Sequence, residues 1–214
     1  MRIKKSIRRA VIIILIVLLV GALAFGGYIA YKKFSETKTV KEKEIINKID
    51  GYGYYLEEGT PKVYEDLYNE LTKVLNQEEI DEESYAKLIA QMLVFDFYNL
   101  NSKMSKNDVG GTQFVLESYR NNFVLQASET VYKYIEHNVY GNRKQKLPQV
   151  SSVEVSDIST NGYKYNDIID ESAYIIKVNV SYEEDLGYPS EVVVKLVHTK
   201  LEDEKIKLEA FYIG

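Results

Sequence analysis

Two histidines, three acidic triplets and a knot of tyrosines are the groups in this 214-residue sequence with chemistry to offer. His137 and His198 stand alone, and no His-x-x-x-His pair exists to chelate a transition metal. A catalytic base needs a positioned nucleophile and an orienting group beside it, and the sequence sets neither next to a histidine. His198, on a strand pattern, is the better placed; His137 reads as a cation-compatible helix end. The acidic groups Asp167, Asp170 and Glu171, then Glu183, Glu184 and Asp185, then Glu202, Asp203 and Glu204, fall in or beside turns. Such loops can hold calcium, but none has the EF-hand spacing, and solvated turns blunting the sheet ends account for them. Gly110-Gly111-Thr112 lacks the further glycines and the lysine of a phosphate loop and reads as a turn with a helix cap. With no cysteine, there is no thiol nucleophile, disulfide or thiolate metal ligand. The expectation is therefore no catalytic residue, no metal and no cofactor.

Tyrosine carries a ring that stacks on sugars and a hydroxyl, and the chain has 19 of them. Most fall on apolar stripes, but Tyr52, Tyr54 and Tyr55 crowd among the turn signals Asp50-Gly51 and Gly53, outside any periodic pattern. They are the candidate binding patch. Asp96, inside an apolar helical run, is the other residue to watch. Unpaired there, its carboxyl would have a raised pKa and mark a ligand site; paired with a base or hydroxyl, it would be structural. The candidate ligand-binding residues are thus Tyr52, Tyr54, Tyr55, Asp96 and His198.

Positioning them is the task of three helical segments and a run of strands. Thr60-Pro61 reads as an N-cap with proline at the first helical position, ahead of a stripe at Val63, Leu67, Leu71 and Val74 that ends near Leu75. Asp81 caps a second helix through Tyr85, Leu88, Ile89, Met92 and Leu93, which should be largely buried. After a polar break, a third segment from Phe114 to about Glu136 turns Leu116, Tyr119, Phe123, Ala127, Val131 and Tyr134 inward. Beyond Gly141 the period becomes 2. Ile176, Val178, Val180 and Tyr182 alternate with polar residues, Glu191 to Thr199 has the valines of an inner strand, and Lys205 to Ile213 turns Ile206, Leu208, Ala210 and Tyr212 inward. Val150 to Ile158 is a weaker strand, turned back by Asn161-Gly162 onto a short partner at Tyr163 to Tyr165. Helices followed by an antiparallel sheet predict an α+β domain over residues 51–214. It comprises two to three helices packed on a curved antiparallel sheet of four to five strands.

Ahead of that domain, residues 10–31 hold 22 residues without a charge, long enough as a helix to cross a ~30 Å hydrocarbon core. Arg2, Lys4, Lys5, Arg8 and Arg9 make residues 1–9 a basic stub, so the N-terminus should stay in the cytoplasm and the domain outside a single-pass membrane anchor. A competing reading is a signal peptide cleaved after Ala24. Against it, Phe25 to Tyr31 continues apolar, with Tyr28 and Tyr31 at an interfacial position. Residues 32–50 form a charged linker or helical stalk. Past the stub the chain carries a net −10, against −5 for the whole, which disfavours a phosphate backbone as partner and predicts no nucleic-acid binding.

A basic stub, one span, two or three helices and then antiparallel strands: this order resembles the cystatin-like superfamily typified by nuclear transport factor two. In particular it is similar to membrane-anchored extracytoplasmic members that serve as assembly subunits of conjugative secretion systems. The resemblance covers residues 60–214 and rests on element order, so it carries no functional residue over. Its superfamily includes enzymes, binders and scaffolds, and activity does not follow from fold. The resemblance implies a non-enzymatic interaction module with protein partners in a bacterial envelope or conjugation-type complex. The rival is a ligand-binding or cell-wall-binding cone, possible as an enzyme, with a pocket between helices and sheet. A third reading is a homo-oligomer joined through an open sheet edge.

Overall fold

The folded domain begins ahead of the turn at Gly51. In the computed structural model the described residues are 18–29, 43–165, 167–201 and 205–214. The chain divides into two compact units, 1–40 and 41–214. Of the expected span, residues 18–29 are helical, and the rest of 10–31 lies outside the described residues. Among the described residues no helix is long and apolar enough to cross a membrane.

In the second unit, β1 (Ile45–Lys48) pairs antiparallel with β2 (Tyr55–Glu57). Residues 45–48, expected to belong to the linker, are therefore a strand. The local cause is the hairpin between them: Gly51 and Gly53 adopt positive φ of 82° and 77°, and Ile49 N donates to Tyr54 O at 2.8 Å. Helix α1 (Lys62–Leu75) ends as expected and, of the expected stripe, buries Leu71 fully and Leu67 and Val74 in part, but its inner face is centred on other residues. Tyr64, Tyr68, Leu71 and Leu75 point inward, while Val63 is 38% exposed. Two tyrosine rings bury more apolar area than Val63 and Leu67, and they rotate the helix accordingly. Thr60 does not cap it; its hydroxyl donates to Glu57 O.

Helix α2 (Glu82–Tyr98) is capped as expected, Asp81 accepting from Ser84 N at 3.1 Å and from Ser84 Oγ at 2.6 Å. It lies between α1 and the sheet, and eleven of its residues are buried around its whole circumference. A helix apolar all round has to occupy such a position. Helix α3 (Glu117–Glu129) is shorter than the segment expected over 114–136. A 3₁₀ turn at Thr112–Phe114 precedes it, and Thr130 leaves helical geometry with φ −122° and ψ −96°. Beyond that break Tyr132 is fully buried and Tyr134 is 78% exposed, reversing the expected face. Tyr132 is held by its hydroxyl, which donates to Phe97 O and accepts from Gly110 N.

Four strands, β3 (Val150–Tyr165), β4 (Ile168–Tyr182), β5 (Glu191–Lys200) and β6 (Ile206–Ile213), form an antiparallel sheet in that order. The molecule is thus α+β, with a four-stranded sheet and a separate two-stranded one. Ile176, Val178 and Val180 face the core as their alternation predicts. Asn161-Gly162 is not a turn. β3 runs through it, opposite a register shift in which β4 carries the extra residue between Asp170 and Ala173, and the chain reverses at Asp167, whose φ is 64°. In β6 only Leu208 and Ala210 of the expected stripe are buried; Ile206 and Tyr212 are 44% and 46% exposed. A second, smaller apolar cluster joins Leu116, Tyr165, Ala173 and Val197.

Candidate functional site

Asp96 comes two residues before the end of α2, and the loop that follows brings a cation back to it. Lys103 Nζ donates to Asp96 Oδ1 at 2.5 Å, and Gly111 N donates to Oδ2 at 2.6 Å. The loop approaches so closely that a Cβ on Gly110 would stand 2.1 Å from Asp96 O, which explains the glycine there. Burial by itself raises the Asp96 pKa, but the Lys103 ammonium and the two hydrogen bonds outweigh it and hold the carboxyl below its ordinary value. By the criterion set from the sequence, Asp96 is paired and structural. The cleft above it, lined by Tyr55, Tyr64, Gln113 and Lys43 among others, has a volume of only ≈ 40 Å³. Drug-sized ligands need roughly 300 Å³ or more.

His198 continues the inward register of Val192, Val194 and Leu196 to the end of β5, beside the N-terminus of α2. There its ring is held between two carboxylates. Nδ1 lies 2.8 Å from Asp170 Oδ2, and Nε2 hydrogen-bonds Glu82 Oε1, which also accepts from the Tyr174 hydroxyl. Asp170 accepts in addition from His198 N and Ser172 N, at 2.8 and 3.0 Å. This replaces ladder bonds where β4 runs past its last β5 partner, the pair Tyr174 and Leu196. Burial lowers the imidazole pKa, but hydrogen bonds and charge from Glu82 and Asp170 overcome it and raise the value above the usual 6.5. Burial raises the Asp170 pKa, and its bonds from His198 and Ser172 bring it below the ordinary carboxylate value. Asp170, expected in a solvated turn, is 8% exposed inside β4. Period 2 could not have found it: β4 carries a register shift between Asp170 and Ala173, where Ser172 is exposed and Ala173 buried, so the alternation read back from Ile176 is lost before Asp170. Glu82 gave no signal either.

The tyrosine knot divides between core and cleft. Tyr52 and Tyr54 are 4% and 0% exposed, and only Tyr55 reaches the small cleft. Tyr54 has a specific task. Its hydroxyl donates to Leu208 O at 2.9 Å and lies 2.7 Å from the Tyr85 hydroxyl, which accepts from Leu208 N at 3.1 Å. Tyr54 has one proton to give, so Tyr85 must donate to it. Together the two phenols close the free edge of β6 at Leu208.

A larger concavity runs between α3 and β6, with a volume of ≈ 260 Å³. Tyr119, Phe123, Phe211, Tyr212 and Ile213 line it, the amides of Asn122 and Gln126 mark its rim, and none of its lining residues is charged. Tyr119 and Phe123, expected on the inner stripe of the third helical segment, are half-buried, packing against the core and open to this groove. His137 is exposed beyond the end of α3. Among the described residues no group of three or more His, Cys, Asp or Glu is gathered to hold a metal. Glu183 and Glu184 engage Gln149 and Lys146, while residues 202–204 lie outside the described residues. No protein-family model matches the chain, and no curated protein or solved structure matches it.

Proposed function

We propose that the chain is a non-enzymatic docking module of a bacterial envelope or conjugation-type assembly. In this reading residues 10–31 anchor it in the cytoplasmic membrane with the basic stub inside, and the domain beyond, a cystatin-like cone, binds partner proteins outside. The observation that carries the reading is the uncharged aromatic groove between α3 and β6, in a chain whose residues are 28% charged. An uncharged, aromatic-lined concavity of this kind fits an apolar segment of another protein. Asp96 is already held by Lys103 and Gly111 N, and both ring nitrogens of His198 face carboxylate oxygens. The alternative of a small-ligand or cell-wall-binding cone gains nothing from the cleft beside Asp96, which has room for little more than water.

A photo-crosslinking residue placed in the full-length chain at Asn122, Gln126 or Tyr212, in its native cells, tests the reading. Each position should yield the same discrete protein adduct, and the exposed Lys73 on α1 should not. Adducts no different from those at Lys73 would remove the groove as a docking surface.

A further inference from the structure

Both ring nitrogens of His198 face carboxylate oxygens, Nδ1 that of Asp170 and Nε2 that of Glu82. A carboxylate only accepts, and a neutral imidazole has a single N–H, so a neutral ring must set one lone pair against an oxygen. The imidazolium alone satisfies both contacts. The three residues come from three elements: Glu82 opens α2, Asp170 lies on β4 and His198 on β5.

The two contacts are unequal. Asp170, with a side chain 7% exposed, keeps the bonds from His198 N and Ser172 N whatever the charge on the ring. Glu82 is 43% exposed, and besides the ring its Oε1 accepts, among the described residues, from the Tyr174 hydroxyl at 3.3 Å. A neutral ring therefore keeps its proton on Nδ1, toward the better-held carboxylate, and turns the bare Nε2 on Glu82. We propose that His198 is a pH-operated latch, which when protonated fastens the first turn of α2 to the sheet and when neutral releases Glu82 while retaining Asp170.

The surroundings leave those two carboxylates in charge of the ring. At the start of α2, the cap Asp81 is engaged by Ser84 and Glu83 by Lys87. From β4 the Tyr174 ring approaches to 5.7 Å, with its hydroxyl pKa pushed up to about 12 by burial and by Glu82, so it stays neutral. From β3 the Tyr165 hydroxyl donates to His198 O. On β6, Lys207 and Glu209 flank the register partner Leu208 and pair with each other at 3.1 Å, with Thr199 of β5 donating to Glu209. With the imidazole pKa raised, the latch is closed at pH values below that raised value, and opening follows as pH rises through it.

The test is an imidazole nitrogen NMR titration of the full chain, combined with amide exchange at Ser84 to Ala86 corrected for the intrinsic pH dependence of exchange. The expected results are a His198 midpoint above 6.5, an Nδ1–H tautomer above that midpoint, and protection of the α2 first turn falling about tenfold across it. Glu82→Gln should lower the midpoint and leave first-turn protection independent of pH. A midpoint at or below 6.5, an Nε2–H tautomer, or a midpoint unmoved in Glu82→Gln would each overturn the proposal. The first two are read on the unaltered chain, so a poorly folding variant does not leave the matter open. The latch stands independently of the docking groove.

Discussion

The Lys103 side chain is 5% exposed, whereas that of Asp96 is 32% exposed toward the cleft. That asymmetry decides what removing either partner does. Asp96→Asn leaves an ammonium buried against a neutral amide, and stranding a buried charge typically costs about 3–5 kcal/mol. Lys103→Met removes the charge that water cannot reach. It leaves Asp96 partly solvated and still accepting from Gly111 N, so the loss should be well under half as large. Urea unfolding at neutral pH should therefore rank Asp96→Asn as clearly the more damaging, by at least about 1.4 kcal/mol, a factor of ten in the equilibrium constant. Equal losses would mean that the pair acts only as a surface contact. At this scale the sequence was half informative: an aspartate in an apolar helical run is anomalous and was visible as such. Its partner arrives through an irregular loop, and no periodicity encodes where such a loop returns.

The free edge of β6 is closed by side chains where a neighbouring strand would otherwise pair. Leu208 N donates to Tyr85, Tyr85 to Tyr54, and Tyr54 to Leu208 O, while Leu116 N donates to Ala210 O one pair along. The direction of this ring of bonds separates two conservative variants. Tyr85→Phe deprives the Leu208 amide of its acceptor, whereas Tyr54→Phe deprives the Leu208 carbonyl of its donor and leaves the amide bonded to Tyr85. Each should cost about 1–3 kcal/mol as a buried polar group loses its partner. Amide exchange at Leu208 should accelerate in Tyr85→Phe and hold in Tyr54→Phe; equal acceleration in both would refute the assigned direction. Elements with strong periodicity were legible, among them the Asp81 cap, the end of α1 at Leu75 and the alternation of Ile176, Val178 and Val180. The tyrosines were not, because a phenol suits a solvent-facing patch and a buried edge equally well and only tertiary contacts choose. Gly162 misled for a related reason: Asn-Gly favours a two-residue turn, but a long antiparallel partner in β4 outweighs a local preference.

Stability of the whole molecule should depend on pH through the same few groups, with opposite signs. Asp96 and Asp170 have folded pKa values below their ordinary range. The unfolded chain binds more protons there, so their contribution is full above about pH 4 and is lost as pH falls through the depressed folded values. His198 has a raised folded pKa, so its contribution is full below about pH 6.5 and is lost as pH rises through the raised value. The two limbs meet in a maximum between about pH 4 and 6.5, on the acid side of neutrality. Denaturant midpoints measured across pH should trace that dome for the 41–214 unit. Asp96→Asn should flatten part of the acid limb alone, since the group is spatially separate from the His198 cluster, and His198→Gln should flatten the alkaline limb. The alkaline limb will be shallow, because Glu82 is 43% exposed and solvent screens its share of the attraction. A dome unchanged by His198→Gln would leave the clamp at the end of β5 without a thermodynamic role. An alkaline limb that vanishes while the acid limb persists would place this histidine-dependent contact where α2 meets the sheet.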